Sequence, residues 1–278
     1  MKTSTTRTKR MGLAAFALFA LSFLGCTHLR PSNSRVWAPE HSVLPHVCLE
    51  GDHVELCKVR DFYHCSKDKF TANYFDTALN LDEIETVELF ICYPMRDPSL
   101  FAHTMLSFGT INHGDHYVIS VEARREKDEK YGPIAGIMGK YELIYVLGTE
   151  RDILNLRTKI YEEEVHRYPI CVEPKHVRPF FADMLQQIQD LETKPQFYNT
   201  LKNNCTSNLL KHAEETGGRD LPDRIISLAP GISDRVLPRI GLIDNRLPLQ
   251  EMRRCSKINE LAERYRDDPD FSLKIRNL

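Results

Sequence analysis

Residues 197–208 read Phe197-Tyr198-Asn199-Thr200-Leu201-Lys202-Asn203-Asn204-Cys205-Thr206-Ser207-Asn208. Polar, turn-forming Asn203 and Asn204 lead directly into a helical pattern that begins at Cys205 and is halted by Gly217-Gly218. A thiol at a helix N-terminus faces unpaired backbone N–H groups and the positive end of the helix dipole, and both stabilise its thiolate. The same N–H groups can receive an oxyanion formed on an attacked carbonyl. Such a nucleophile needs a base, and the candidate is His103, set among apolar neighbours in 101–108 (FAHTMLSF). Each residue also has an ordinary alternative: Cys205 as half of a disulfide or a core residue, His103 as a satisfied core histidine.

The flanking segments give the fold class. Strands are expected at 87–93 (VELFICY), ended by Pro94, at 101–108, at 117–123 (YVISVEA), at 141–147 (YELIYVL), and, shorter, at 164–170. The Gly- and Asn-containing segment between the second and third of these predicts a hairpin. Thr149 followed by Asp152 predicts a capping box that opens a helix running to about residue 159. The clearest helix is 175–191, where Val177, Phe180, Phe181, Met184, Leu185, Ile188 and Leu191 recur at three- and four-residue steps. Pro222, Pro230, Pro238 and Pro248 then predict a loop-rich wrap, followed by a charged helix near 257–265. The expected class is α+β, an antiparallel sheet with helices packed to one side.

The 278 residues are 42% hydrophobic and 27% charged with a net charge of −2, which excludes a disordered, collagen-like or many-span membrane chain. There is no basic surplus to suggest nucleic acid. The charge is uneven, because Lys2, Arg7, Lys9 and Arg10 stand in 1–25 without any acid. They precede the apolar segment 11–25 (MGLAAFALFALSFLG), too short to span a bilayer and suited to a signal peptide. It ends Phe23-Leu24-Gly25-Cys26, which resembles the lipobox of bacterial lipoproteins, in which the Cys is acylated and becomes the first residue. The expected organisation is a lipoprotein signal at 1–25, a polar, Pro-containing tether at 26–45 and one domain at 46–278. Thr27, rather than Asp, after Cys26 favours the outer membrane. Export makes Cys48, Cys57 and Cys65 candidates for stapling the N-terminal arm, with small buried apolar residues as the alternative.

Several further segments fit together as one pattern: Val59-Arg60-Asp61-Phe62, Ala102-His103-Thr104-Met105-Leu106-Ser107-Phe108, Ser120-Val121-Glu122-Ala123-Arg124-Arg125-Glu126, Tyr141-Glu142-Leu143-Ile144-Tyr145-Val146, Glu150-Arg151-Asp152, Tyr198-Asn199-Thr200 and Asn203-Asn204-Cys205-Thr206, with Pro230-Gly231 and Gly241-Leu242 beyond. In these the chain resembles the Lnb N-terminal periplasmic domain family, from about residue 45 to the C-terminus. That family is similar to circularly permuted papain-like enzymes, including NlpC-like amidases and lecithin:retinol acyltransferase-like proteins, where a strand His precedes a helix Cys. The resemblance implies a permuted papain-like fold with Cys205 as nucleophile, His103 as base and a polar residue of the next strand orienting the imidazole. Ser120 and Glu122 share one strand face. Glu122 is favoured because a carboxylate both orients the ring and stabilises imidazolium; its alternative is a surface salt bridge to Arg124 or Arg125. Tyr198, Asn203, Asn204 and Ser120 are candidates for the oxyanion pocket, Tyr198 and Asn203 equally for fixing the turn.

His113, Asp115 and His116 read as a solvated turn rather than a metal site, and 124–130 as a mixed charge run. No cofactor or metal is expected, and no P-loop or dinucleotide Gly motif is present. The expected function is a membrane-anchored periplasmic thiol enzyme that transfers or hydrolyses acyl groups of lipids or lipoproteins. Lnb enzymes carry further spanning helices after this domain, whereas nothing after Gly25 here is apolar enough to span. Two rivals therefore stand beside it: a cell-wall cysteine amidase or peptidase, and a non-catalytic lipoprotein scaffold with an oxidised Cys. A greasy cavity beside Cys205 favours acyl transfer; a water-exposed cleft favours the amidase.

Overall fold

Apolar side chains occupy both faces of the central strands, and this sets the architecture. In β6 (Ile84–Tyr93), Val87, Leu89, Ile91 and Tyr93 belong to one core, while the intervening Phe90 and Cys92 belong to a second. The same split runs through β7 (His103–Thr110), β8 (His116–Arg124) and β9 (Glu142–Thr149). The structure, a computed structural model, describes residues 30–67, 69–94, 99–111, 114–217 and 221–277. The expected signal peptide with Cys26, His113 and Gly218 lie outside the described residues.

Upstream come β1 (His46–Glu50), β2 (His53–Arg60), the small hairpin β3 (Tyr63–Ser66) with β4 (Lys69–Thr71), and β5 (Tyr74–Asn80); β10 (Glu164–Pro169) follows β9. The main sheet has the order β1-β2-β9-β8-β7-β6-β10, with β5 also paired to β2. Its pairings are antiparallel except between β2 and β9, which run parallel where Arg60 meets Gly148. A Cβ on Gly148 would lie 2.9 Å from the Arg60 carbonyl oxygen, so glycine permits this approach. The sheet is therefore mixed, not antiparallel throughout, because the N-terminal strands add to an edge that the hydrophobic pattern of residues 46–80 does not announce.

The helices that bear on the core and the site are α1 (Pro133–Ile137), α2 (Glu150–Asn155), α3 (Pro174–Thr193), α4 (Cys205–Gly217), α5 (Asp223–Leu228), α6 (Asn259–Arg264) and α7 (Phe271–Lys274); Ser233–Val236 and Leu249–Ser256 are also helical. Helices α3 and α4 cover one face, with the α3 stripe Val177, Phe181, Met184, Leu185, Ile188 and Leu191 buried against it. Helices α2, α6 and α7 cover the other, through Ile153, Leu154, Ala262, Phe271 and the nearby Ile258 and Ile275. This corrects the expectation of helices on one side. Unbroken apolar runs such as Ile144-Tyr145-Val146 mark strands buried on both faces. The class is α+β, with one large mixed sheet and helices.

Thr149 caps α2 by accepting from the Asp152 N–H at 3.2 Å, but Asp152 does not reach back to close a capping box. Its fully buried carboxylate instead accepts from Arg60 Nε at 2.7 Å, the Phe62 N–H at 2.9 Å and His64 Nε2 at 2.7 Å. Asp61 likewise takes Thr149 Oγ1 and Arg151. The Arg60-Asp61-Phe62 and Arg151-Asp152 segments are thus one ion-pair hub where β2 crosses β9. Helix α2 ends at Asn155, and the next turn, Leu156–Ile160, is wound as a π-helix rather than continuing the α-helix expected to residue 159.

Residues 30–45, expected as a tether, are bound to the domain. Trp37 is 8% exposed, bridges to Glu126 and carries the Arg124 guanidinium 4.0 Å above its ring. Arg35 pairs with Glu142 at 2.6 Å, and Asn33 donates to the Leu191 carbonyl at 2.8 Å. Cys48, Cys57 and Cys65 are free thiols, so the expected staple of the N-terminal arm is absent from the structure. Among the described residues no helix is long and apolar enough to cross a membrane.

Candidate active site

His103 opens β7 opposite Cys92 of β6, at the end of the sheet where β8 finishes and β9 begins. Alternation places His103 on the face of Met105, and Ser120 and Glu122 on the face of Val118; Met105 and Val118 share one core. The three side chains therefore converge. His103 Nε2 lies 2.8 Å from Ser120 Oγ and 3.3 Å from Glu122 Oε1, and Ser120 Oγ donates to Glu122 Oε1 at 2.8 Å. Arg157, brought in by the π turn, donates to Glu122 at 2.5 Å, pairs with Glu163 at 3.5 Å and lies over the Tyr161 ring.

The thiol arrives from the other direction. Asn204 caps α4 reciprocally: its Oδ1 accepts the Ser207 N–H and its own N–H donates to Ser207 Oγ, each at 2.8 Å. One residue into the helix, the Thr206 and Thr104 hydroxyls are 2.8 Å apart and dock α4 onto β7 beside His103. This leaves Cys205 7% exposed and near enough to the His103 ring for each to shift the other's titration.

Burial alone pushes the Cys205 thiol up. His103, the Thr104 N–H and the Thr206 hydroxyl at 3.6 Å overcome it and bring the thiol down to about 6. For His103, burial and Arg157 oppose the charged form, but Glu122 and the Cys205 thiolate raise it above an ordinary histidine. Burial likewise opposes the Glu122 charge, yet His103, Arg157 and Ser120 hold that carboxyl well below the usual range. The lowered thiol and the raised imidazole both favour a thiolate beside an imidazolium, backed by a carboxylate and a guanidinium. Such a pair can attack a carbonyl carbon and return the proton to a leaving group. Apart from the Ser207 N–H, which Asn204 Oδ1 takes, the first-turn N–H groups of α4 lack intrahelical partners and can serve an oxyanion at this helix end.

The structure brings together Cys205, His103, Ser120 and Glu122. Ser120, weighed for the oxyanion pocket, hydrogen-bonds the imidazole instead. Asn203 and Asn204 are committed elsewhere: Asn203 donates to the Phe197 carbonyl and accepts from Asn208, and Asn204 Nδ2 donates to the Thr200 and Ser227 carbonyls. Both fix the turn that presents Cys205. Tyr198 is 7% exposed and meets the Tyr131 ring edge-on at 6.3 Å, and its hydroxyl is pushed up first by burial and then by the Cys205 thiol. The expected rival partners of Glu122 are occupied: Arg124 donates to the His41 carbonyl at 3.0 Å and Arg125 to Glu40 at 2.6 Å. Arg157, Thr104 and Thr206 were not among the expected site residues. Nothing local in 157–159 (Arg-Thr-Lys) marks its first residue as buried; the π turn that carries it inward is a tertiary feature. Among the described residues of the 112–116 turn, His116 lies with Glu88 and Glu150, whose carboxylates Arg276 bridges.

A family model described as the Lnb N-terminal periplasmic domain matches residues 70–230, more than half of the chain and inclusive of every residue of this site. No curated protein and no solved structure matches.

Proposed function

The chain belongs to the Lnb N-terminal periplasmic domain family, and from that membership and the site geometry we propose that it is a periplasmic thiol enzyme acting on acyl groups of lipids or lipoproteins. The Cys205–His103–Ser120–Glu122 relay carries this reading. The Cys205 sulfur attacks an acyl carbonyl carbon, forming a C–S bond and an oxyanion. Collapse breaks the carbonyl's bond to its oxygen or nitrogen leaving group, which takes the proton from His103. An amine, alcohol or water then attacks the thioester, giving its proton back to His103 as the C–S bond breaks. The fold is read as that of permuted papain-like enzymes and Cys26 as the lipid attachment point, with the outer membrane favoured.

An acyl rather than a peptide substrate is favoured by an apolar cavity of about 650 Å³ between α3 and α4. Leu106, three residues along β7 from His103, and Leu209, one helical turn from Cys205, line its near end and Thr216 and Leu221 its far end, while Cys205 and His103 themselves do not line it. The volume suits a ligand-sized apolar group. The test supplies the full chain with a phospholipid or lipidated peptide and an amine acceptor, and follows products by mass spectrometry. Acyl appearing on the acceptor is expected. Cleavage of peptidoglycan stem peptides with lipids untouched would replace this reading with a cell-wall amidase.

A further inference from the structure

Among the described residues, a group of exposed large apolar side chains gathers at one end of the protein. Four segments meet there. The 99–101 segment is tied to 229–231 by the Gly231 N–H donating to the Leu100 carbonyl at 3.0 Å. Helix α5 is tied to the α4 cap by Asn204 donating to the Ser227 carbonyl at 3.0 Å. Helix α1 is tied to the 198–204 loop by Thr200 donating to the Pro133 carbonyl and Asn199 to the Ile137 carbonyl, each at 2.9 Å. These segments surround the N-terminus of α4, and hence Cys205. They present Leu100, Phe101, Ile134, Leu201, Ile225 and Leu228, with Phe101 73% and Ile134 67% exposed. Exposed apolar residues scattered singly need no explanation, but a contiguous group around a reactive thiol marks a contact surface.

We infer that this rim inserts into the surface of a lipid bilayer and holds the mouth of the Cys205 site against it. The course of the N-terminus selects a bilayer over a protein partner. The first described residues lie at this same end: the Ser32 N–H donates to Glu142, Arg35 pairs with it, and Glu142 in turn bridges to Phe197 beside the Cys205 loop. Upstream of Arg30 the chain holds Cys26 and the apolar segment 11–25. Four residues from Cys26 to Arg30 span at most about 14 Å. Whatever membrane anchor the N-terminus supplies therefore emerges beside the rim, and residues 30–37, being clamped to the domain, keep it there. The inference rests on the thiol reading only for what the rim serves, namely delivery of a bilayer-resident acyl donor to Cys205.

The test uses the full chain in phosphatidylcholine vesicles containing brominated acyl chains. Trp37, 8% exposed, is the native fluorophore, and its emission is subtracted using the parent chain. Phe101→Trp should lose roughly half or more of its added emission, because rim side chains of an interfacial protein reach about 5–10 Å into the headgroup and acyl boundary. Ile111→Trp is the comparison; Ile111 is exposed just past the far end of β7, about 24 Å of strand from His103, and should be left unquenched. Quenching of both, of neither, or protein cross-linking at Phe101→Trp without quenching would overturn the inference. Alkylation of Cys205, read on the same samples, separates the two claims. Its loss with quenching intact sinks the thiol reading alone, and intact alkylation without quenching sinks the rim alone.

Discussion

Ser120 stands between His103 and Glu122, its hydroxyl 2.8 Å from the imidazole Nε2 and 2.8 Å from the carboxylate Oε1 that it bonds. The same carboxylate oxygen is 3.3 Å from Nε2, so the hydroxyl fills what would otherwise be a long ion pair. In this geometry Ser120 and Glu122 are positioning residues, and Arg157 fixes the carboxylate from behind.

Ser120→Ala should slow alkylation of Cys205 about threefold to tenfold, by the loss of one hydrogen bond of roughly 1 kcal/mol. Glu122→Gln should do more, because it also removes the charge that raises His103, and should shift the pH at which Cys205 becomes reactive upward. Rates measured across pH separate the two: a merely structural role would change the rate without moving the pH midpoint.

Asn204→Ala removes the side-chain half of the cap, the Oδ1 that accepts the Ser207 N–H, and the Nδ2 bonds to two loop carbonyls. It should cost about 1–2 kcal/mol in urea unfolding. It should also lower Cys205 reactivity, since the helix end that presents the thiol is loosened. A normal reactivity in the destabilised protein would show that the cap serves only the fold.

Asp152→Asn tests the hub where β2 crosses β9. Asp152 is fully buried and its carboxyl sits below the ordinary range; burial opposes the charge, but Arg60, His64 and the Phe62 N–H more than offset it. A depressed folded-state carboxyl contributes stability that is full above the unfolded value, near 4, and is lost as pH falls through the folded one. The substitution should therefore cost on the order of 3 kcal/mol at pH 7 and progressively less in acid, by urea unfolding. An equal loss at both pH values would mean that the charge is not what Asp152 contributes.

The anchor is tested by metabolic labelling with palmitate. The wild type should be labelled and membrane-bound, and Cys26→Ser should lose both properties. Label persisting on the Cys26→Ser protein would put the lipid elsewhere.

The thiol helix and the histidine strand were legible because their signals are local: turn-forming asparagines before Cys205, the Gly217-Gly218 pair where the helix ends, and an apolar run around His103. The strands of residues 46–80 were not. In β2 the alternation of Val54, Leu56 and Val59 is interrupted at Lys58, where the backbone has φ +60° and the register with β5 shifts, so a strand reads as an irregular charged segment. Residues 30–45 look like a tether by composition, yet Arg124 and Glu142 hold them down, and those partners lie about a hundred positions downstream. Arg157 was hidden for a related reason: its burial follows from a π turn and from Glu122 waiting on another strand. Contacts that exist only after long-range pairing leave no local pattern to read.

The central claim, that Cys205 is a thiolate held by His103, is tested most directly by the rate of Cys205 alkylation by iodoacetamide as a function of pH, followed by peptide mass spectrometry. In the reduced wild type the rate should rise through a midpoint near pH 6, where the thiol titrates. In His103→Ala it should fall at neutral pH and rise only toward the ordinary thiol value of about 8.5. The same midpoint and rate in both proteins would contradict the account.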